Sequence, residues 1–183
     1  MTGLPKAQLT HIGIYVWDLD KMVAFYEQEF GMIVADRGVS TSGLEAAFMT
    51  GNANEHHELV LVAAREPDQK STLNQISFEV DTLEDVRRFW KRFQDIDTPI
   101  LQTKNHGNSW SVYAADPEGN RLEIFANSPW AMVQPIGAAI DFSKSVEELM
   151  LETEALVRGA GALVTRGEWQ EAISQKLSSL DRS

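Results

Sequence analysis

The chain has 183 residues, 43% apolar and 23% charged, which suffices to bury a core and suits one domain with a tail or two small modules. A net charge of −11 argues against non-specific binding to nucleic acid or an anionic membrane, and leaves small-molecule pockets open. Cysteine is absent, so disulfides and thiolate ligands are excluded and any metal must be held by histidine, carboxylate, amide or carbonyl groups. MTGLPKAQLTHIG lacks a charged start followed by a long apolar run, and no stretch approaches the roughly eighteen apolar residues of a membrane span; a cytoplasmic protein is expected.

In chain order, Leu9 to Val16 alternates, with Ile12, Ile14 and Val16 on one face and His11, Gly13 and Tyr15 on the other. Asp18-Leu-Asp20 supplies an N-cap for a helix whose apolar set is Met22, Val23, Phe25, Tyr26 and Phe30, and Gly31 ends it. Ile33 to Arg37 and Leu44 to Met49 read as short strands around the Gly/Ser/Thr-rich run Gly38 to Gly43. His56 to Val62 reads as a strand with a polar entry, Glu58 sharing a face with Val60 and Val62. The polar segment Arg65 to Thr72, which contains Pro67-Asp68, is the expected linker.

The pattern then restarts. Asn74 to Val80 alternates like the first strand, with Gln75 at the place of His11, and Asp81 to Asp85 caps a helix carrying Val86, Phe89, Trp90 and Phe93. Ile100 to Thr103 precedes a hairpin whose turn is Asp116-Pro117-Glu118-Gly119-Asn120: proline presets φ, and glycine and asparagine tolerate positive φ. The flanks Trp110 to Tyr113 and Arg121 to Phe125 alternate, so Leu122 and Ile124 share one face and Arg121, Glu123 and Phe125 the other. A mid-strand carboxylate at Glu123 calls for a metal ion or a basic partner. Two weakly similar halves of about sixty residues form an internal repeat.

Beyond Phe125, Ser128 to Pro135 is a connector containing proline and aromatics. Ser145 to Arg158 carries Val146, Leu149, Met150, Leu156 and Val157 on one stripe, suited to packing on the module or on a second subunit, and a last helix is expected over Glu168 to Leu180.

The hairpin carries a resemblance. His106, Val112-Tyr113, Asp116-Pro117, Gly119 and Glu123 reproduce the spacing of the signature of type I extradiol ring-cleaving dioxygenases, members of the vicinal oxygen chelate superfamily with the glyoxalases and bleomycin-resistance proteins. Lys104 departs from the family's small or apolar choice at its position. The Asp-capped helix with Phe25-Tyr26 and Phe30-Gly31 resembles the opening of that superfamily's βαβββ module. The resemblance implies an α+β fold of two βαβββ units in a curved mixed sheet. It places the vicinal oxygen chelate domain at 7–127, with halves 7–64 and 73–127, and a helical extension at 128–183.

It also implies a divalent metal on the concave face. His11 matches the first-strand ligand and Glu123 the last-strand ligand, with separations of 64 residues from His11 to Gln75 and 48 from Gln75 to Glu123 in the family's range. Gln75 stands where extradiol enzymes have histidine, and Glu58 where glyoxalase-type members carry a fourth ligand. His56 and His57 are alternative ligands, His56 better placed by parity with Glu58. Fe(II) is the expected metal, and an oxygen-rich set suits manganese, nickel, magnesium or zinc as well. His106 and Tyr113 match the residues that bind and deprotonate a substrate phenol, and Tyr15, Trp110 and Phe125 are expected to line the substrate pocket. The implied activity is extradiol cleavage of a catechol-like diol with O2, in a homodimer with no nucleic-acid or membrane partner. The alternatives are a glyoxalase-like metal-dependent lyase or isomerase and a non-catalytic aromatic-ligand binder similar to the bleomycin-resistance proteins.

Overall fold

A computed structural model describes residues 7–161 and 164–180. The chain clusters into two compact units, one of Thr2–Asn74 with Asp116–Asn120, the other of Gln75–Ala115 with Arg121–Ser183. Residues 162–163 and 181–183 of the expected extension lie outside the described residues.

The first unit contains β1 (Ile12–Val16), α1 (Leu19–Phe30), β2 (Ile33–Val39), β3 (Glu45–Thr50) and β4 (Leu59–Ala63). Its sheet runs β1-β4-β3-β2, with β1 parallel to β4 and the other pairs antiparallel. α1 forms where the sequence predicts it, because the Asp18 carboxylate accepts from the Lys21 amide at 3.0 Å and Gly31, at φ 64°, closes the last turn onto Glu27. Its buried face is Leu19, Met22, Val23 and Tyr26.

The second unit contains β5 (Ile76–Glu79), α2 (Leu83–Asp95), β6 (Ile100–Asn105), β7 (Ser109–Ala115), β8 (Arg121–Asn127), β9 (Trp130–Ala131), β10 (Ala138–Ala139), α3 (Val146–Gly159), β11 (Val164–Thr165) and α4 (Arg166–Leu180). Its sheet runs β10-β6-β7-β8-β5, and β5 is parallel to β8 as β1 is to β4, so the repeat read in the sequence is a repeat of topology. The Thr82 hydroxyl caps α2, which packs Val86 and Phe93 onto β7 and β8. α3 begins in a capping box between Ser145 and Glu148 and buries Leu149, Thr153 and Val157. Thr153 Oγ1 accepts from the Trp110 indole N–H at 2.7 Å and from Asn105 Nδ2 at 2.9 Å. Of the expected apolar stripe, Leu149 and Val157 are buried in this unit, while Val146, Met150 and Leu156 are half-buried.

Several boundaries differ from expectation for local reasons. β4 starts at Leu59, so His56, His57 and Glu58 belong to the preceding loop, where strand parity has no force. β1 starts at Ile12 and leaves His11 just before it. In the hairpin turn only Gly119 takes positive φ, at 77°. Among the described residues no helix is long and apolar enough to cross a membrane.

Candidate functional site

In the second unit the alternation of β7 and β8 sorts their side chains. Trp110, Val112, Leu122 and Ile124 are buried beneath the helices, while Ser111, Tyr113 and Glu123 share the other face. Glu123 is only 9% exposed, and each of its oxygens accepts twice. Tyr113 Oη and Ser111 Oγ donate to Oε1 at 2.6 and 2.8 Å, and Gln75 Nε2 and Ser77 Oγ donate to Oε2 at 2.5 and 2.7 Å. Burial alone would raise the carboxyl pKa. The donors Tyr113, Ser77 and Ser111, with the charge of His106, outweigh that and leave it below its ordinary value. The basic partner anticipated for Glu123 is replaced by four neutral donors. Arg121 makes no ion pair with Glu123: its guanidinium lies 4.2 Å over the Tyr113 ring, with Nε buried and unpartnered.

Tyr113 is held on both sides, since its hydroxyl is also 3.0 Å from His106 Nε2. Burial, then the hydrogen bond and charge of Glu123, push the phenol up to about 12. His106 Nδ1 contacts the Ile136 carbonyl, which can only accept, so Nδ1 carries a proton. With Glu123 ionised, the one Tyr113 proton is donated to it, and His106 Nε2 must then donate to the phenol oxygen. The alternative is a protonated Glu123 donating to Tyr113, which donates to a neutral His106. The two states differ by a concerted shift of two protons along one line.

In the first unit, His11 and His57 stack with ring centroids 4.3 Å apart. His57 Nδ1 is 3.0 Å from His56 Nδ1, and His56 Nε2 is 2.9 Å from Asp36. Partial desolvation, then the neighbouring His11 and His56, hold the His57 pKa down. Glu58 Oε2 accepts from the Gly51 amide at 2.9 Å, which anchors the loop before β4. Arg37 is engaged by Asp20 and Glu45 at 2.6 and 2.9 Å.

Trp110 departs from the pocket assignment, whereas Tyr15 lines a hollow of its own unit. Trp110 does not line a substrate pocket: it is 3% exposed, on the helix-covered face, with its indole bonded to Thr153. The cause is parity, since three positions separate it from Tyr113. Tyr15 is 62% exposed beside a shallow hollow formed with Arg65 and Leu73. Phe125 does line a cavity, of about 510 Å³, shared by Glu79, Asn108 and Asn127 of the sheet unit and by residues of the extension.

Sequence reasoning treated Glu118 as turn punctuation. Its buried carboxylate accepts from the amides of Trp17 at 2.9 Å and Asp18 at 2.8 Å, at the start of α1, with the Arg65 guanidinium 3.8 Å away. Burial raises its pKa against those bonds. Asp116 closes the turn, accepting from the amides of Glu118 and Asn120 and from the Tyr26 hydroxyl at 3.1 Å. Ser77 and Ser111 were missed as well. The signal was available, because they share strand parity with Gln75 and Tyr113.

A divalent metal, expected from the resemblance, does not fit the Glu123 donor set. Both carboxylate oxygens already have two donors each, and Gln75 presents its amide N–H to Glu123. A two-histidine, one-carboxylate iron site has no counterpart in this unit. Among the described residues no three His, Asp or Glu side chains gather closely enough to hold a metal ion.

A family model described as Glyoxalase/Bleomycin resistance protein/Dioxygenase superfamily matches residues 8–124. Among solved structures, a glyoxylase/bleomycin resistance protein/dioxygenase domain from Frankia sp. EAN1pec aligns at TM-score 0.58 and 18% identity, over 68% of this chain and all (100%) of that one. A variant of the genomically encoded fosfomycin resistance protein of Listeria monocytogenes, complexed with Mn(II), aligns at TM-score 0.55 and 20% identity, over 68% and 95%. The trypanothione-dependent glyoxalase I of Leishmania major aligns at TM-score 0.54 and 18% identity, over 85% and 99%. At these identities the likeness is one of fold.

Proposed function

The chain belongs to the Glyoxalase/Bleomycin resistance protein/Dioxygenase superfamily, and from that premise we propose that it is an enzyme moving a proton of a small-molecule substrate on the Glu123 face of its second unit. The observation that carries this reading is the line Glu123, Tyr113, His106, with steps of 2.6 and 3.0 Å. Such a line holds Glu123 ionised and fixed in orientation at the end that faces a substrate. Glu123, kept ionised by its donors, is the proton acceptor toward a substrate carbon acid or hydroxyl once Gln75 or Ser77 turns from Oε2 toward the substrate. Tyr113, kept protonated by burial, gives its one proton to Glu123 Oε1 and so orients that carboxylate, and the hydrogen bond to developing negative charge on substrate oxygen comes from the Gln75 amide or Ser77 hydroxyl released from Oε2. His106 donates to the Tyr113 oxygen, which holds the phenol proton on the Glu123 side, and is itself oriented by the Ile136 carbonyl. The reaction class is that of a lyase or isomerase.

The test is solvent deuterium incorporation into a thiohemiacetal or 2-oxo acid substrate, followed by mass spectrometry in the presence and absence of chelator. Exchange that falls about 100-fold in Glu123→Gln and at least about tenfold in Tyr113→Phe supports the reading, since positioned acid–base groups contribute roughly 10²–10⁴-fold. Exchange indifferent to both substitutions sinks it.

A second reading, extradiol cleavage of a catechol with Fe(II) and O2, is favoured by the pairing of His106 with Tyr113 at the two signature positions. The saturated Glu123 carboxylate counts against it, and no step is derived through a metal. Oxygen uptake on a catechol by anaerobically iron-loaded protein would restore it, with Gln75→His as the variant expected to increase iron retention.

A further inference from the structure

Most of the cavity beside Phe125 is built by residues beyond the superfamily match at 8–124, with Glu79 and Asn108 contributed from within it. Phe125 and Glu79, opposite each other in the β5–β8 register, form its floor. Trp130 from β9 and Trp169 from α4 form aromatic walls, and Arg166 stands at its rim. The position of Arg166 is fixed by backbone: its amide donates to the Pro129 carbonyl at 2.9 Å, and β11, just before it, pairs with β9. Thr165 and Glu168 cap each other there, with the Thr165 amide donating to Glu168 at 2.7 Å and the Glu168 amide to Thr165 Oγ1 at 3.2 Å, so α4 begins at the cavity. Arg166 and Trp169 are three residues apart, hence on one face of the helix.

We infer that this cavity binds a planar aromatic ligand bearing a single carboxylate. Three aromatic side chains in the lining suit a flat ring system, and the volume of about 510 Å³ lies within the usual range of small-molecule sites. The half-buried Arg166 guanidinium has no hydrogen-bond or ion-pair partner among the described residues, and its fork matches a carboxylate. The positive end of α4 adds to the preference for an anion. Glu79, across the floor, is occupied by Asn127 Nδ2 and its charge disfavours a dianion such as a phosphate monoester. Trp169 is left 47% exposed, a surface that a bound ring would cover.

The inference deepens the proposed function, because Phe125 and Glu123 lie two residues apart on the same face of β8 and the ligand would be that site's substrate. Its test is a binding measurement that needs no turnover, so failure of the proton-transfer assay leaves it intact. Isothermal titration of the full chain with 1-naphthoate should show saturable one-to-one binding, and the neutral 1-naphthamide should bind at least about tenfold more weakly. Arg166→Gln should erase most of that difference by weakening 1-naphthoate about tenfold or more and leaving 1-naphthamide within about threefold. Trp169→Ala should weaken both compounds. Both substitutions fall on side chains without hydrogen-bond partners, and unchanged melting temperatures would confirm that folding is intact. No binding of 1-naphthoate to the native chain, or equal 1-naphthoate affinity in Arg166→Gln, overturns the inference.

Discussion

The Tyr113 phenol and the Glu123 carboxylate sit directly opposite each other in the β7–β8 register and meet at 2.6 Å. Each shifts the other's ionisation: Glu123, after burial, keeps the phenol protonated, and the phenol is the chief donor keeping the carboxylate ionised. A spectrophotometric titration at alkaline pH should therefore contain an ionisation step near pH 12 that Tyr113→Phe removes. The folded pKa is raised, so the stability this group contributes is present below the free phenol value of 10.0 and is lost as pH rises through about 12.

Glu123 has the opposite sign. Its pKa is lowered in the folded chain, so its contribution is present above the free value of 4.5 and fades as pH falls through the depressed one. Glu123→Ala strands four donors and is expected to cost about 3 kcal/mol in urea denaturation at neutral pH. Below the folded pKa the gap between native chain and variant should narrow, and a gap that stays constant across the acid range would refute the assignment.

Thr153 receives two buried donors, Trp110 Nε1 and Asn105 Nδ2. Thr153→Val keeps the volume and removes the acceptor, and is expected to destabilise by about 2 kcal/mol, with Thr153→Ser recovering most of the loss. Equal stability of the valine variant and the native chain would mean that the hydroxyl does not anchor α3.

Glu118 anchors the amides that begin α1. Glu118→Ala should cost about 2–3 kcal/mol, whereas Glu118→Gln, which retains an acceptor oxygen, should cost less. Because burial raises this carboxyl, its contribution is greatest below the free value of 4.5 and declines as pH rises through the raised value. The stability advantage of native chain over Glu118→Gln should thus be larger at pH 4 than at pH 8, a comparison that thermal melts at the two pH values decide.

Periodicity and capping chemistry made most of the fold legible, since each rests on residues close in sequence. Asp18, Gly31, Thr82 and Ser145 mark helix ends through contacts within about one turn, and each does so in the structure. The meeting of Tyr113 with Glu123 was likewise implicit in hairpin register and strand parity. The same parity excludes Trp110 from that face, an inference available from the sequence. Glu118 was not legible, because the amides it satisfies are about a hundred residues away. The cavity at Phe125 was hidden for the same reason: it exists only once β11 pairs with β9 and brings Arg166 and Trp169 to the sheet. The saturation of Glu123 by Ser77, Ser111 and Gln75 needed counts of donors per oxygen, which strand parity alone does not give.

The docking of α4 through the short β9–β11 pair makes the two parts of the second unit separable by engineering. The Glu123 carboxylate lies within the span that the family model matches, whereas Trp130, Arg166 and Trp169 lie beyond it and are held by a two-residue ladder. In such a layout the segment beyond residue 127 can be altered or exchanged without touching the strands that carry Ser111, Tyr113 and Glu123.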